Sequence, residues 1–387
     1  MLKSQKTLKI KISLLQKIIA KFQFLLIRVL IPSIINLLLG GLPRRTRTLL
    51  IVKNDGIGDY ILFRNYIKAL RESAKFKSYK IYVLANPGFR EIALHLDSQY
   101  VDGFYWYQDN YFLSWKLVQL LYQLQFLRLH TILYPVLSRK FTTDWLIGNI
   151  KAELKVTVDG NLINISGADK EKSNKYYNKI IRLEDDKAHE FVINRQIIES
   201  ITSTPCLIKQ PFIETEKLKT VSNNAVVIFL GANNPNKKWA AENFVKLCNL
   251  LIKELDVNLI LASDNTDILI SEQIVNQLPK KNVINRVGKT NQIELIELIA
   301  GAKLIITGDT AAVHIAAAVN TPAICIAKGD LYGRFIPYPA DLHCAVLSLF
   351  PVNNNLTKID YNNWSSLDIN LVKSDDVFKA AKNFLSR

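Results

Sequence analysis

The sequence predicts an α/β chain built from two doubly wound, Rossmann-like halves, and three observations carry that prediction. Strand-like and helix-like segments alternate from Thr48 onward, and a second alternation of the same rhythm starts at Ala225. Between them lies a polar stretch, broken at Thr204-Pro205 and Gln210-Pro211. Strand, helix, strand in this order implies parallel sheets with right-handed crossovers. A length of 387 residues suits two domains, and a hydrophobic share of 49% supports a large core. Two facing Rossmann-like domains are expected, with a ligand in the cleft at the carboxyl ends of the strands.

In the first half, Thr48–Lys53 reads as a buried strand, Asn54–Asp59 as a glycine-containing turn, and Tyr60–Ser73 as a helix with apolar Ile61, Tyr66, Ile67 and Leu70. Lys80–Leu84, Gly103–Tyr107 and Thr131–Tyr134 are further strands, with a long helix between the last two. Residues 159–220 carry less pattern, apart from a helix over His189–Ile201. In the second half the strands are Val226–Leu230, Asn258–Ala262, Lys303–Thr307 and Ala323–Ala327. The helices are Glu242–Leu255, Asn291–Ala300, Ala311–Val319 and Val372–Ser386. The boundaries that follow are an extension at 1–46, a first domain at 47–205, a linker at 206–224, a second domain at 225–371 and a closing helix at 372–387.

The net charge of +16 is concentrated at the N-terminus. No acidic residue precedes Asp55, while ten basic ones occur by Arg47: Lys3, Lys6, Lys9, Lys11, Lys17, Lys21, Arg28, Arg44, Arg45 and Arg47. Leu14/Leu15, Ile18/Ile19, Phe22, Leu25/Leu26 and Val29/Leu30 form one helical stripe. Basic residues interleaved with aliphatic ones suit an anionic membrane surface better than nucleic acid. Phe22–Leu39 approaches the length of a span, but Arg28 and Pro32 lie inside it, and no small-residue cleavage site follows. A basic amphipathic N-terminal helix lying in the membrane plane is the expectation. A signal anchor and a helix packed on the protein's own surface are the alternatives. Each Lys near an anionic leaflet contributes about 1 kcal/mol, so six hold the chain there reversibly. The four cysteines, Cys206, Cys248, Cys325 and Cys344, form no C-x-x-C pair and no zinc spacing. They read as buried residues of a reducing compartment.

Three motifs carry chemistry. The first is Asn54-Asp55-Gly56-Ile57-Gly58-Asp59, where Gly56 and Gly58 allow a tight turn and close approach of a ligand. As a dinucleotide fingerprint it fails at Ile61, where the third glycine belongs. Asp59 is either a helix cap or a base at a strand's carboxyl end. The second runs Gly231 to Trp239, with Lys237 and Lys238 either at a phosphate or on a solvated loop. The third is Gly308-Asp309-Thr310-Ala311-Ala312-Val313-His314. Asp309 or Thr310 caps a small-residue helix whose exposed N–H groups suit an anion. His314, one turn in, reads as a packed residue rather than a catalyst.

These motifs, in this order, resemble the bacterial heptosyltransferase-like glycosyltransferases (glycosyltransferase family nine), which have the GT-B fold. The resemblance rests on I-V-K-N-D-G-I-G-D-Y, Lys237-Lys238-Trp239, Gly288-Lys289-Thr290, the Asp309–Ala317 signature and the His189–Arg195 helix, and covers roughly residues 48–340. It implies that Asp59 is the general base and that the first domain takes the acceptor. It implies that Lys237 contacts the donor's phosphates, that Asp309, Thr310, Ala311, Ala312 and Val313 surround the diphosphate with His314 close by, and that Gly288, Lys289 and Thr290 edge the nucleoside pocket. It implies no metal, and the N-terminal half shows no D-x-D element. Two departures stand out: Ala311-Ala312-Val313 where the family often has Gly-Pro-Met, and Ala327–Phe335 where it often has Phe-Gly-Pro-Thr. Lys328 and Arg334, in the second, either add charge near the phosphates or are ordinary loop residues.

The expected activity is inverting, metal-independent transfer of a heptose or other hexose-like sugar from a nucleotide diphosphate donor, without a further cofactor. The expected acceptor is a glycolipid or oligosaccharide, lipid-linked or lipopolysaccharide. The expected location is the cytoplasmic face of the inner membrane, held through residues 1–40, with no nucleic-acid partner. A non-catalytic nucleotide-sugar-binding subunit of the same fold is the alternative, followed by an NAD(P)-dependent oxidoreductase.

Overall fold

The computed structural model describes residues 26–39, 41, 43, 45–219, 224–231, 234–351 and 367–386. Its helices, in chain order, are α1 (Ile31–Leu39), α2 (Ile57–Glu72), α3 (Arg90–Asp97), α4 (Trp115–Phe126), α5 (Phe141–Asn149), α6 (Gly167–Asn174), α7 (Glu190–Thr202), α8 (Ala241–Leu255), α9 (Ile268–Val275), α10 (Gln292–Ala300), α11 (Ala311–Ala318) and α12 (Ser374–Leu385). The residues group into two compact units. One holds the described residues up to Asp55 together with Leu70–Gly88 and Ser98–Leu183. The other holds Gly56–Ala69, Phe89–Asp97 and the described residues from Glu184 onward.

The first unit is organised by a parallel sheet of β1 (Thr48–Lys53), β2 (Lys80–Ala85), β3 (Gly103–Trp106), β4 (Thr131–Tyr134), β5 (Leu154–Val158) and β6 (Lys179–Ile181), in the order β3-β2-β1-β4-β5-β6. All six residues of β1 are buried, which is why T-L-L-I-V-K reads as a continuous run rather than an alternation. Leu117, Leu120, Leu121 and Leu124 of α4 recur at helical spacing and pack with Leu50, Val52, Leu84 and Ile132 of the sheet. Ile35 of α1 adds to this core, and the Gln125 side-chain amide donates to Asn36.

The second unit repeats the design with β7 (Val226–Phe229), β8 (Leu259–Ala262), β9 (Val283–Asn285), β10 (Leu304–Gly308), β11 (Ala323–Ile326) and β12 (Val346–Leu349). Their order, β12-β11-β10-β7-β8-β9, is that of the first sheet when counted within its own half. In each sheet the order reverses beside the first strand of the half, and ligands of doubly wound folds lie there at the carboxyl ends. In this unit that point lies between β7 and β10, whose ends lead into Gly231 and Asp309.

Both doubly wound halves are present as expected. Helix α2 starts at Ile57, so the glycine turn is shorter than expected and Gly58 and Asp59 lie inside the first helical turn. Four strands and three helices fall in stretches where the sequence shows no element or little pattern: β5, β6, β9, β12, α5, α6 and α9. At the N-terminus a π-helical turn (Leu26–Leu30) leads into α1. The rest of the expected amphipathic stripe, from Leu14 to Leu25, lies outside the described residues. Among those residues no helix is long and apolar enough to cross a membrane.

Candidate active site

All the site geometry lies within the second unit. A cavity of about 620 Å³ opens there, lined by the ends of β7, β8 and β10 and by the N-termini of α2, α10 and α11. That volume is in the range of small-molecule sites.

Asp59 reaches the cavity from the first turn of α2. Its Oδ2 accepts from the Gly56 backbone N–H at 3.2 Å, so it caps the helix and lines the cavity at once. The helix is held firmly. Tyr60 stacks on Phe89 with ring centroids 4.1 Å apart and donates its hydroxyl to Asp97 at 2.7 Å. Arg64 pairs with Asp97 at 2.8 Å and donates to the Phe212 carbonyl at 2.7 Å. Tyr66 donates to the Phe191 carbonyl of α7 at 2.8 Å. Burial pushes the Asp97 carboxyl up, and Arg64 and the Tyr60 hydroxyl draw it back down.

Gly58 meets α11 directly. A Cβ at this position would stand 2.8 Å from His314 Cδ2 and 3.7 Å from Ala311 Cα, so the approach requires glycine. His314 is buried and lines the cavity, with Nδ1 2.8 Å from the Tyr338 hydroxyl. Burial, reinforced by His189, pushes its pKa down to about 3, so the ring is neutral at pH 7. His189 packs against Tyr338 with ring centroids 4.6 Å apart, tilted by 43°, and its Nε2 bonds the Phe335 carbonyl at 2.7 Å. Burial holds His189 down to about 4.

Lys237 ends a short 3-10 turn (Pro235–Lys237) opened by Asn234, whose side chain accepts from the Asn236 N–H. Its ammonium stands 2.9 Å from Asp309 Oδ2 and 3.9 Å from Asp330 Oδ2. Among the described residues Asp330 Oδ1 is buried without a hydrogen-bond partner. Next to Lys237, Lys238 turns away to Asp267 at 2.6 Å, and Trp239 is buried with its indole N–H on the Val372 carbonyl at 3.0 Å. Gly231 is needed because a Cβ there would fall 2.5 Å from Ser263 Oγ. Thr310 is the N-cap of α11, accepting from the Ala312 N–H at 3.2 Å, and Thr310, Ala311 and Ala312 line the cavity.

The structure therefore brings Gly56, Gly58, Asp59, Lys237, Thr290, Asp309, Thr310, Ala311, Ala312 and His314 to one cavity. Val313 does not join them: it is fully buried in the core. Gly288 and Lys289 are exposed and do not line the cavity either. Gly288 turns the chain at φ +69°, and Lys289 reaches back to the Asn285 carbonyl at 3.2 Å. Lys328 is not at the cavity, and Arg334 is taken up by Glu190 at 3.0 Å. Among the lining residues that sequence reasoning missed are Asp264 after β8, Asn291 and Gln292 at the start of α10, and Asp330, Leu331 and Phe335 of the loop after β11. The divergent stretch Ala327–Phe335 was the one signal pointing to the last three. Among the described residues no three His, Cys, Asp or Glu side chains cluster as a metal site.

Two parallel six-stranded sheets of this order, with the site on the second, place the chain in the GT-B class of paired Rossmann-like folds. Structural comparison agrees. A family 9 glycosyltransferase from Veillonella parvula superposes with a TM-score of 0.70 at 14% identity, covering 89% of this chain and 99% of that one. E. coli heptosyltransferase WaaC, solved with ADP-2-deoxy-2-fluoro heptose, superposes with a TM-score of 0.66 at 14% identity, covering 87% and 99%. Residues 202–349 match the model of glycosyltransferase family 9 (heptosyltransferase), so this stretch is similar to that family. Lipooligosaccharide heptosyltransferase 2 of Haemophilus ducreyi is 31% identical over 150 residues, 37% of this chain. The chain spans 42% of that relative's length.

Proposed function

We propose that the protein is an inverting glycosyltransferase that moves a heptose or similar sugar from a nucleoside diphosphate donor to a lipopolysaccharide or other lipid-linked acceptor, without a metal. One observation carries the reading: a single cavity holds the Asp59 carboxylate, the Lys237 ammonium and the N-terminus of α11. A carboxylate that takes a proton, set beside a cation and a helix N-terminus that receive a diphosphate, is the equipment of single-displacement transfer.

In the proposed step Asp59 removes the acceptor hydroxyl proton as the oxygen attacks the anomeric carbon. The bond from that carbon to the diphosphate oxygen breaks on the opposite face, inverting the centre. Lys237 leaves Asp309 to meet the departing charge, and the N–H groups at the start of α11 take the rest. Thr290, Asn291 and Asp264 line the cavity where the nucleoside would lie. ADP is the first nucleotide to test, because WaaC was solved with an ADP-sugar. The basic N-terminal sequence supports a peripheral position on the inner face of the cytoplasmic membrane, beside such an acceptor.

Asp59→Asn tests the base. Transfer should fall by about 10²–10⁴-fold while nucleotide affinity is kept. A variant within about tenfold of wild type overturns the assignment. Nucleotide binding without turnover on any acceptor would favour a binding subunit.

A further inference from the structure

The first unit carries an apolar surface that its fold does not use. On α4, Trp115, Tyr122 and Phe126 stand at i, i+7 and i+11, all on the face opposite the buried leucines. They are 64%, 52% and 58% exposed, and Tyr122 and Phe126 stack on each other at 6.4 Å. Helix α1 packs against α4, and with the turn before it presents Leu30, Ile34, Leu37 and Leu38, again one helical face. Leu37 is 82% exposed. Neither helix contains an acidic residue.

Positive charge rims this surface. At the C-terminal end of α4, the Arg128 carbonyl accepts from the Arg45 backbone N–H at 2.9 Å, which fixes exposed Arg45 beside Arg128. The Gln125 side chain accepts from the Lys151 N–H at 2.8 Å, bringing exposed Lys151 to the same end. Lys116 stands at the other end, over the Tyr111 ring at 5.1 Å. The acids nearest in sequence to Lys116 and Lys151 are both taken up: Asp109 by Lys140 at 2.7 Å and Glu153 by His130 at 3.3 Å.

We infer that the combined outer face of α1 and α4 docks on an anionic lipid bilayer, with Trp115, Tyr122 and Phe126 entering the headgroup boundary and Arg45, Arg128, Lys151 and Lys116 meeting the lipid phosphates. Aromatic side chains with one polar end favour that boundary, and a basic rim around an apolar face fits an anionic leaflet. Charge selects this occupant over two others. In a two-fold dimer the patch would meet itself and set its basic rim against an identical rim. Residues 1–25 carry six lysines and no acid, so their charge opposes that rim as well. The inference rests on the peripheral-membrane part of the function proposed above and adds a second, independent contact to it.

The test is co-sedimentation of the full chain with vesicles of phosphatidylcholine containing phosphatidylglycerol, and of phosphatidylcholine alone, for wild type and Trp115→Gln/Tyr122→Gln/Phe126→Gln. Thermal unfolding with and without ADP checks the fold. The expected result is wild-type binding to the anionic vesicles, weakened about tenfold or more in the variant. At high salt the lysine contribution is screened and only wild type should retain binding. Equal binding by the two proteins overturns the inference while leaving the N-terminal segment as anchor. Absence of binding by either overturns it together with the membrane reading, and transfer activity in solution is unaffected by that result. A wild-type dimer that the substitutions dissociate assigns the face to a second copy and overturns it. So does a Trp115 already shielded from an aqueous quencher in lipid-free monomer.

Discussion

Gly58→Ala tests how the proposed base and the proposed donor side are coupled. The added Cβ falls 2.8 Å from His314 Cδ2, whereas carbon atoms rest about 3.5–4.0 Å apart. Moving the imidazole aside would strain its place, because it is 4% exposed and its Nδ1 is held by the Tyr338 hydroxyl at 2.8 Å. Overpacking of this kind costs about 1–3 kcal/mol, against about 0.5–1 kcal/mol gained by alanine over glycine in a helix. The overlap therefore wins, with a net loss on the order of 1 kcal/mol in urea unfolding. The catalytic effect should be larger, since misplacing a reacting group by about 1 Å can cost about 10²-fold in rate. A double-mutant cycle with His314→Ala isolates the contact. Once the imidazole is gone, alanine at 58 should be tolerated, giving a coupling of roughly 1 kcal/mol or more. If Gly58→Ala costs the same in both backgrounds, or transfers sugar at the wild-type rate, the contact does not position the site.

Two further outcomes are expected. Lys237→Gln leaves Asp309 and Asp330 facing the donor without their shared cation, so transfer should drop by about 10²–10³-fold and nucleotide diphosphates should bind more weakly than nucleosides. Parallel titrations of ADP and adenosine check this, and an unchanged ratio removes Lys237 from the phosphates. His189 makes stability pH-dependent: its pKa falls from an ordinary 6.5 to about 4 in the fold, so the unfolded chain binds the extra proton. Its contribution is full above pH 6.5 and is lost as pH falls towards 4, on the order of 3 kcal/mol at about 1.4 kcal/mol per unit. His189→Gln should flatten that slope in urea unfolding. Comparing the two proteins cancels the opposite effect of Asp97, whose raised pKa favours the fold on acidification.

The sequence by itself determined the two doubly wound halves, because strands buried on both faces are unbroken apolar runs such as Leu49–Val52 and Val226–Ile228. It also marked places for the candidate site, since Asp309 follows directly on β10 and Asp59 and Thr310 cap helices, whereas the roles expected of Asp59 and Lys237 came from the family resemblance. Short edge strands such as Lys179–Ile181 and Val283–Asn285 have too few residues for a period to show. Only the tertiary structure decided which side of α11 each residue takes, sending Val313 to the core and Ala312 to the cavity. Only it placed Asp330 beside Lys237, because the Ala327–Phe335 loop has no regular pattern and turns at Gly329, Leu331 and Gly333 through positive φ. And only it put Asp59 in the same compact unit as Lys237 and the Asp309–His314 motif, through Tyr60, Arg64 and Tyr66, whose partners lie far along the chain and leave no local mark on the sequence.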